Sequence, residues 1–281
     1  MMSSLKTSLL WLALVAGLTT FNSSEAIAQQ REIKQVKGNL YLFRNNAHLS
    51  VFLVTSDGVI ATDPINEGAA KWLEEEIRKR FQKEIKYVIY SHSDNDHIAG
   101  GQVFADTATV VAHENAAPII NDGTYTAPPN VTFSESSIVQ LGDGQVKLHF
   151  FGVSHTDNLI VMEFPQQKAI FVVDSLNINR MPYRNLPSFY MPELIDFIKQ
   201  VEKLDYEIAI PGHGGLGTPK DVARYRNYLE DLYIKVEEAH KAGKSLEQAQ
   251  ASIQLEQYKD FDNYEAWLPL NIEGVYRNLN R

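Results

Sequence analysis

Four apolar runs in this chain end alike: a short stretch of β-branched and aromatic residues stops, and His or Asp stands at its exit. They are "VIYSHSDNDH", "FFGVSHTDN", "AIFVVDS" and "IAIPGHGG". Runs of this length and composition read as buried strands. A sheet holds the loops at its strand ends rigidly and close together, so side chains repeated at strand exits gather at one edge. The repetition therefore asks for a sheet-based fold with chemistry along a rim.

The remaining patterns fit that demand. "NLYLFR" and "LSVFLVTSDGVIATD" read as strands, with Asp57-Gly58 as a hairpin turn. Ala69, Leu73, Ile77 and Phe81 lie four apart and predict a helix over Glu67–Gln82. "EIKYVIYS", "ATVVAH", "SIVQLGDGQVKLHFFG", "LIVMEF" and "AIFVVD" supply further strands, the third a hairpin around Gly142-Asp143-Gly144. The second half turns helical. Leu194, Ile198, Val201 and Leu204 mark one helix, and Val222, Tyr225, Leu229, Leu232 and Val236 mark a long amphipathic one. A last helix is predicted from Asn263 to Asn278. Strands interrupted by helices predict a layered α/β domain over residues 29–281. Residues 1–28 have the layout of a secretory signal: Lys6, the apolar "SLLWLALVAGL", then Ala26-x-Ala28. The mature chain is expected to be periplasmic or secreted, without stable membrane insertion.

The exits carry His92, Asp94, Asp96, His97, His155, Asp174 and His213. The chain has no cysteine, so any metal must be held by imidazole and carboxylate, which suit zinc, iron or manganese. Seven donors exceed what one tetrahedral ion needs and suffice for two divalent ions sharing a carboxylate. Four of the eight histidines sit at these exits; His113, His149 and His240 read as structural, and His48 as a residue at the lip of the site. A net charge of −9 without basic clusters argues against a duplex nucleic-acid partner and leaves a small molecule as the expected substrate. Nothing in the sequence specifies an oligomeric state.

"DGVIATDP", "YSHSDNDHIAGG", "GVSHTDN", "FVVDS" and "PGHGG", in this order and spacing, resemble the metallo-β-lactamase superfamily. The resemblance implies a four-layer αββα sandwich with a dinuclear, usually zinc, site along one edge of two sheets. By that resemblance His92, Asp94 and His155 hold a first ion, Asp96, His97 and His213 a second, and Asp174 bridges. The family's usual loop is H-x-H-x-D-H, whereas this chain has Asp94 at the second position. A carboxylate there keeps a ligand but makes it harder and anionic, which shifts preference from zinc toward manganese or iron.

The implied chemistry is hydrolysis by a hydroxide held between the two cations, with Asp96 orienting it and relaying a proton. Asp63 fits either a brace for the metal loop or the close of a turn before Pro64, and Asn158 is a weaker brace. Substrate selection is expected in "SLNINRMPYRNLPSFYMP", through Arg180, Tyr183, Arg184 and Tyr190, with "NDGTYTAPPN" as the opposite lip. The bridging aspartate resembles lactonases, glyoxalase II and sulfatases more than the cysteine-ligand β-lactamases. The reading is an exported hydrolase of a small ester, lactone, thioester or β-lactam-like amide. The competing readings are a metal-binding accessory protein without turnover, and a phosphodiesterase of the same fold.

Overall fold

The computed structural model describes residues 30–121 and 125–280; the expected signal lies outside them. Two sheets carry the chain. The first has seven strands in sequence order: β1 (Arg31–Lys37), β2 (Leu40–Asn45), β3 (His48–Thr55), β4 (Gly58–Thr62), β5 (Ile85–Ile89), β6 (Thr109–His113) and β7 (Val131–Phe133). Pairing is antiparallel from β1 to β4 and parallel from β4 to β7. The second sheet contains β8 (Ser136–Leu141), β9 (Gly144–His149), β10 (Val161–Phe164), β11 (Ala169–Val172) and β12 (Ile208–Pro211), ordered β12-β11-β10-β9-β8. Only β11 and β12 pair in parallel there.

Period-two alternation builds the layers, because successive side chains of a strand face opposite sides. Leu49, Val51 and Leu53 of β3, Ile60 of β4, Met162 and Phe164 of β10 and Phe171 of β11 form a core between the sheets. The opposite face of the first sheet gives Phe52, Val59, Ala61 and Val88 to the helix α1 (Glu67–Phe81), which returns Ala69, Leu73 and Ile77. The opposite face of the second gives Val161, Ile170, Val172 and Ala209 to α4 (Met191–Val201), α5 (Pro219–Lys241) and α7 (Tyr264–Leu279). Helix, sheet, sheet, helix: the four layers are the predicted ones. Short helices α2 (Asn95–Ile98), α3 (Ala117–Asn121) and α6 (Leu246–Ser252) complete the set.

Local expectations meet two corrections. The β3–β4 turn is Ser56-Asp57, and Gly58, at φ 148°, already pairs with Thr55 as the first residue of β4. The first strand, β1, precedes those legible in the pattern, because its half-exposed, charge-rich "REIKQVK" presents no buried alternation.

The segment between β11 and α4 has no regular structure and is tied to α7 by a buried asparagine. Asn271 accepts from Tyr228 Oη (2.6 Å) and donates to Pro182 O (3.1 Å) and Arg184 O (2.5 Å). Asn271→Ala leaves a buried hydroxyl and two carbonyls without their partner. We expect a loss of at least about 3 kcal/mol, at 1–3 kcal/mol for each of the three groups left unsatisfied, read from the urea midpoint at unchanged m-value.

Candidate metal centre

Several elements that end at one rim of the sandwich supply polar groups to it. β5 leads into the loop of His92, Asp94, Asp96 and His97, with α2 carrying the last two. The loop is held from several sides. Ser91 N–H and Ser91 Oγ donate to the two oxygens of the fully buried Asp63 at the exit of β4 (2.8 and 2.6 Å). Ser93 N–H donates to Asn158 Oδ1 (2.9 Å), Tyr125 Oη to Ser93 O (2.9 Å) and Ile65 N–H to His97 O (2.6 Å). Two glycines allow the close approaches. At Gly100, φ 89°, a Cβ would lie 2.4 Å from Glu67 N, and at Gly212 it would lie 2.7 Å from Val173 Cγ1 and 3.2 Å from His97 Cε1.

The donors converge in two groups, His92, Asp94, His155 and Asp174, and His48, Asp96, His97 and His213. Within each, one donor atom per residue lies within 4.8 Å of every other. Asp174 reaches across both. Its Oδ2 is 3.4 Å from His97 Nε2, 3.6 Å from His92 Nε2 and 3.7 Å from His155 Nε2, and its Oδ1 is 3.3 Å from His213 Nε2. Asp174 has φ 50°, a left-handed conformation uncommon outside glycine, asparagine and aspartate, and a kind of backbone strain that concentrates at functional sites. Asp94 Oδ2 is 3.0 Å from His155 Nε2 and 3.5 Å from His92 Nε2, which places the variant carboxylate inside the first group.

These residues fit divalent ions. His92 Nε2 and His97 Nε2 are buried without a hydrogen-bond partner, a costly state that a metal removes. Two donors on one tetrahedral ion at about 2.0–2.1 Å are about 3.4 Å apart, and most of the separations above scatter around that value. Ser91 orients His92: its hydroxyl is engaged with Asp63, so the contact at 2.8 Å is His92 Nδ1–H donating to Ser91 Oγ, leaving Nε2 free to coordinate. His213 Nδ1–H donates to Ala47 O (3.2 Å) with the same result.

Electrostatics lock the groups together. Burial would pull His92 down, but Asp174 and Asp94 carry its pKa up to about 10. Burial would raise Asp174, but His97, His213 and His92 hold it well below the carboxylate range. Asp94 likewise lies low, with His155 and His92 outweighing burial. Burial raises Asp63, with His97 opposing.

In the metal-free protein the depressed aspartates contribute stability that is present above their unfolded value of 3.8 and lost as pH falls. The raised His92 contributes stability that is full below its unfolded value of 6.5 and lost as pH rises toward about 10. Metal-free protein is therefore expected to lose thermal stability from these groups between pH 6.5 and 10. Metal-loaded protein, whose histidines are already deprotonated, should not. Melting curves across that range with and without chelator check this; parallel curves would refute it.

Above the donors lies a cavity of about 410 Å³, lined by Asn177, Arg180, Tyr183, Pro187, Ser188 and Phe189 as well as by the acidic and histidine groups. Arg180 stacks on Trp267 of α7 (5.2 Å to the ring centroid), and Phe189 lies 5.0 Å from the His155 ring. Of the residues expected there, Arg184 and Tyr190 do not line the cavity. The Arg184 guanidinium lies over the Tyr183 ring (5.2 Å to its centroid), and Tyr190 occupies the N-cap position of α4. The described residues of "NDGTYTAPPN" are also absent from the lining. Tyr125 braces Ser93 instead, and residues 122–124 lie outside the described ones. Ser91, Phe189 and Trp267 went unread in the sequence. His113, His149 and His240 lie outside both donor groups, bonded to Ser134 O, Glu163 and Asn280.

A four-layer αββα sandwich with clustered His and Asp at one rim defines a class of metalloproteins, and similarity to known proteins specifies it. The chain belongs to the metallo-β-lactamase superfamily, whose family model matches residues 48–213. It is 25% identical over 186 residues to 2,4-dinitroanisole O-demethylase subunit alpha of Nocardioides sp. (strain JS1661), covering 63% of this chain and 56% of that subunit's length. It is 27% identical over 168 residues to metallo-β-lactamase type 2 of Elizabethkingia meningoseptica, covering 57% and 68%. Among solved structures, a metallo-β-lactamase from Pontibacter korlensis superposes with TM-score 0.64 at 19% identity, over 72% of this chain and 99% of that one. A double mutant of the sec-alkyl sulfatase PisA1 superposes with TM-score 0.74 at 16% identity, over 89% and 50%.

Proposed function

We propose that this protein is an exported, dinuclear metal-dependent hydrolase of a small anionic ester, lactone, thioester or β-lactam-like amide. One observation carries the reading: the buried, partnerless Nε2 atoms of His92 and His97 face the shared carboxylate of Asp174 at the floor of the cavity. His92, Asp94 and His155 would hold one divalent ion, and Asp96, His97 and His213 the other, with Asp174 reaching both. Zinc is the expected metal, with manganese or iron as alternatives. When bound, such ions acidify water and polarise the oxygen of the scissile group.

The chain's own residues do the rest. Asp96 is exposed at the cavity floor, and the hydrogen bond from His48, opposed by burial, keeps its carboxyl below the usual range. It is therefore an ionised acceptor at neutral pH, placed to take a proton from the nucleophile and return it to the leaving group. Phe189 and Tyr183 form the apolar wall against which an acyl or alkyl group packs. Among the described residues no carboxylate pairs with the Arg180 guanidinium, so it is free to bind an anionic group of the substrate.

The test is turnover of a chromogenic set (cephalosporin, lactone, thioester, aryl ester, sulfate ester, phosphodiester) with and without chelator. Chelator-sensitive hydrolysis of one bond class, abolished in Asp96→Ala, is expected. No turnover with metal bound would overturn the hydrolase reading in favour of an accessory role. Arg180→Ala is expected to raise KM for an anionic substrate about 10- to 100-fold, at 1.5–3 kcal/mol for a hydrogen bond to a charged group, with kcat little changed. Equal KM changes for neutral and anionic substrates would refute that role.

A further inference from the structure

Asp94 stands where an imidazole is expected, and the structure brings an additional imidazole to the other side of the centre. His48 opens β3 and pairs with His213 in an isolated antiparallel bridge between the two sheets, with Leu49 N–H donating to Gly212 O (2.8 Å). Its Nε2 lies 3.3 Å from Asp96 Oδ2, and its ring centroid is 4.6 Å from that of His213 and 5.3 Å from that of His97. The 3.3 Å separation matches two donors on one ion, about 3.4 Å apart. An independent observation points to a ligand in this group: His97 Nε2 is fully buried and partnerless. The backbone step at Ala47–His48 both fixes the tautomer of His213, through Ala47 O, and presents the next imidazole.

We propose that His48 is a metal ligand, a further donor of the second position beside Asp96, His97, His213 and the shared Asp174, so that the two positions differ in metal preference. The second then offers three imidazoles and one carboxylate of its own, from His48, His97, His213 and Asp96. The first offers two imidazoles and one carboxylate of its own, from His92, His155 and Asp94, and the two positions share Asp174. Imidazole favours zinc and carboxylate favours manganese. The second position therefore selects zinc, and the first accepts harder ions. The imidazole absent from the loop is made up across the site. This rests on the dinuclear reading above.

Metal-free full-length mature protein is titrated with zinc against a chromophoric chelator, and the histidine nitrogens are followed in long-range ¹H–¹⁵N spectra. The first zinc equivalent is expected to move the Nε2 resonances of His48, His97 and His213 ahead of those of His92 and His155. His48→Ala should weaken one zinc equivalent at least about tenfold, as loss of even outer partners costs 10- to 100-fold. That should be the same equivalent that His213→Ala weakens, and His155→Ala should weaken the other. His48→Gln, which keeps a polar side chain at the bridge, should repeat the His48→Ala result if alanine disturbs folding. Zinc that moves His97 and His213 but not His48, with both equivalents unchanged in His48→Gln, would overturn the proposal and leave His48 as a positioning residue for Asp96. Binding of a single equivalent by wild-type protein would instead sink the dinuclear reading on which it rests.

Discussion

Asp174→Asn is expected to strip the protein of at least one of its two ions and to lower turnover at least about a thousandfold, several kcal/mol of charge stabilisation being at stake. The argument is geometric. Among the described residues, Asp174 is the one carboxylate whose two oxygens lie within 3.3–3.7 Å of four different imidazoles, two from the metal loop and one each from the segments after β9 and β12. Asparagine tolerates the left-handed backbone at φ 50° and keeps the volume, so the substitution removes charge without adding strain. It also leaves His92 and His97 buried with a neutral neighbour. Asp94 still faces His92 at 3.5 Å and Asp63 still faces His97 at 3.8 Å, so neither imidazole loses its last carboxylate and the metal-free variant is expected to fold. Elemental analysis after gel filtration, together with thermal unfolding, separates the two effects. Retention of two ions would show that Asp174 does not bridge.

How much of this was legible in the sequence follows from strand direction. His92, His155, Asp174 and His213 were readable because each follows the C-terminal end of a strand, where a rule about strand exits looks. His48 stands at the beginning of a strand. β3 runs antiparallel to β4, so the start of β3 and the exit of β4 at Asp63 lie at the same rim. A one-dimensional reading takes His48 no further than the lip of the site, whereas the topology brings its ring beside His213 and its Nε2 beside Asp96. The part Ser91 plays is hidden from the sequence for a related reason. Its role depends on Asp63, 28 residues earlier, and on the orientation of the neighbouring His92 ring, and neither contact has a sequence signature. The cavity wall shows the limit most plainly. Composition marked "SLNINRMPYRNLPSFYMP" as the cap, yet only tertiary packing decides that Arg180 and Tyr183 lean on Trp267 and face inward while Arg184 turns outward.

Asp96→Asn tests proton transfer separately from coordination. The amide oxygen can still face a cation, but it cannot accept a proton, and the contact with His48 Nε2 at 3.3 Å loses its charge. Where the leaving group is a poor one, such as an alkoxide, its departure needs that proton. A loss of about 10²–10⁴ in kcat is then expected, the usual worth of a positioned acid or base. Where the leaving group is an activated phenolate that departs unprotonated, the loss should fall to roughly tenfold, below the general acid–base range. The dependence on the leaving group is what distinguishes the two roles of Asp96. A variant that keeps both ions and loses the same factor on activated and unactivated esters would make Asp96 a ligand only, and the proton relay would have to be sought elsewhere in the cavity. A loss that grows with leaving-group pKa while metal content stays constant would assign the relay to Asp96.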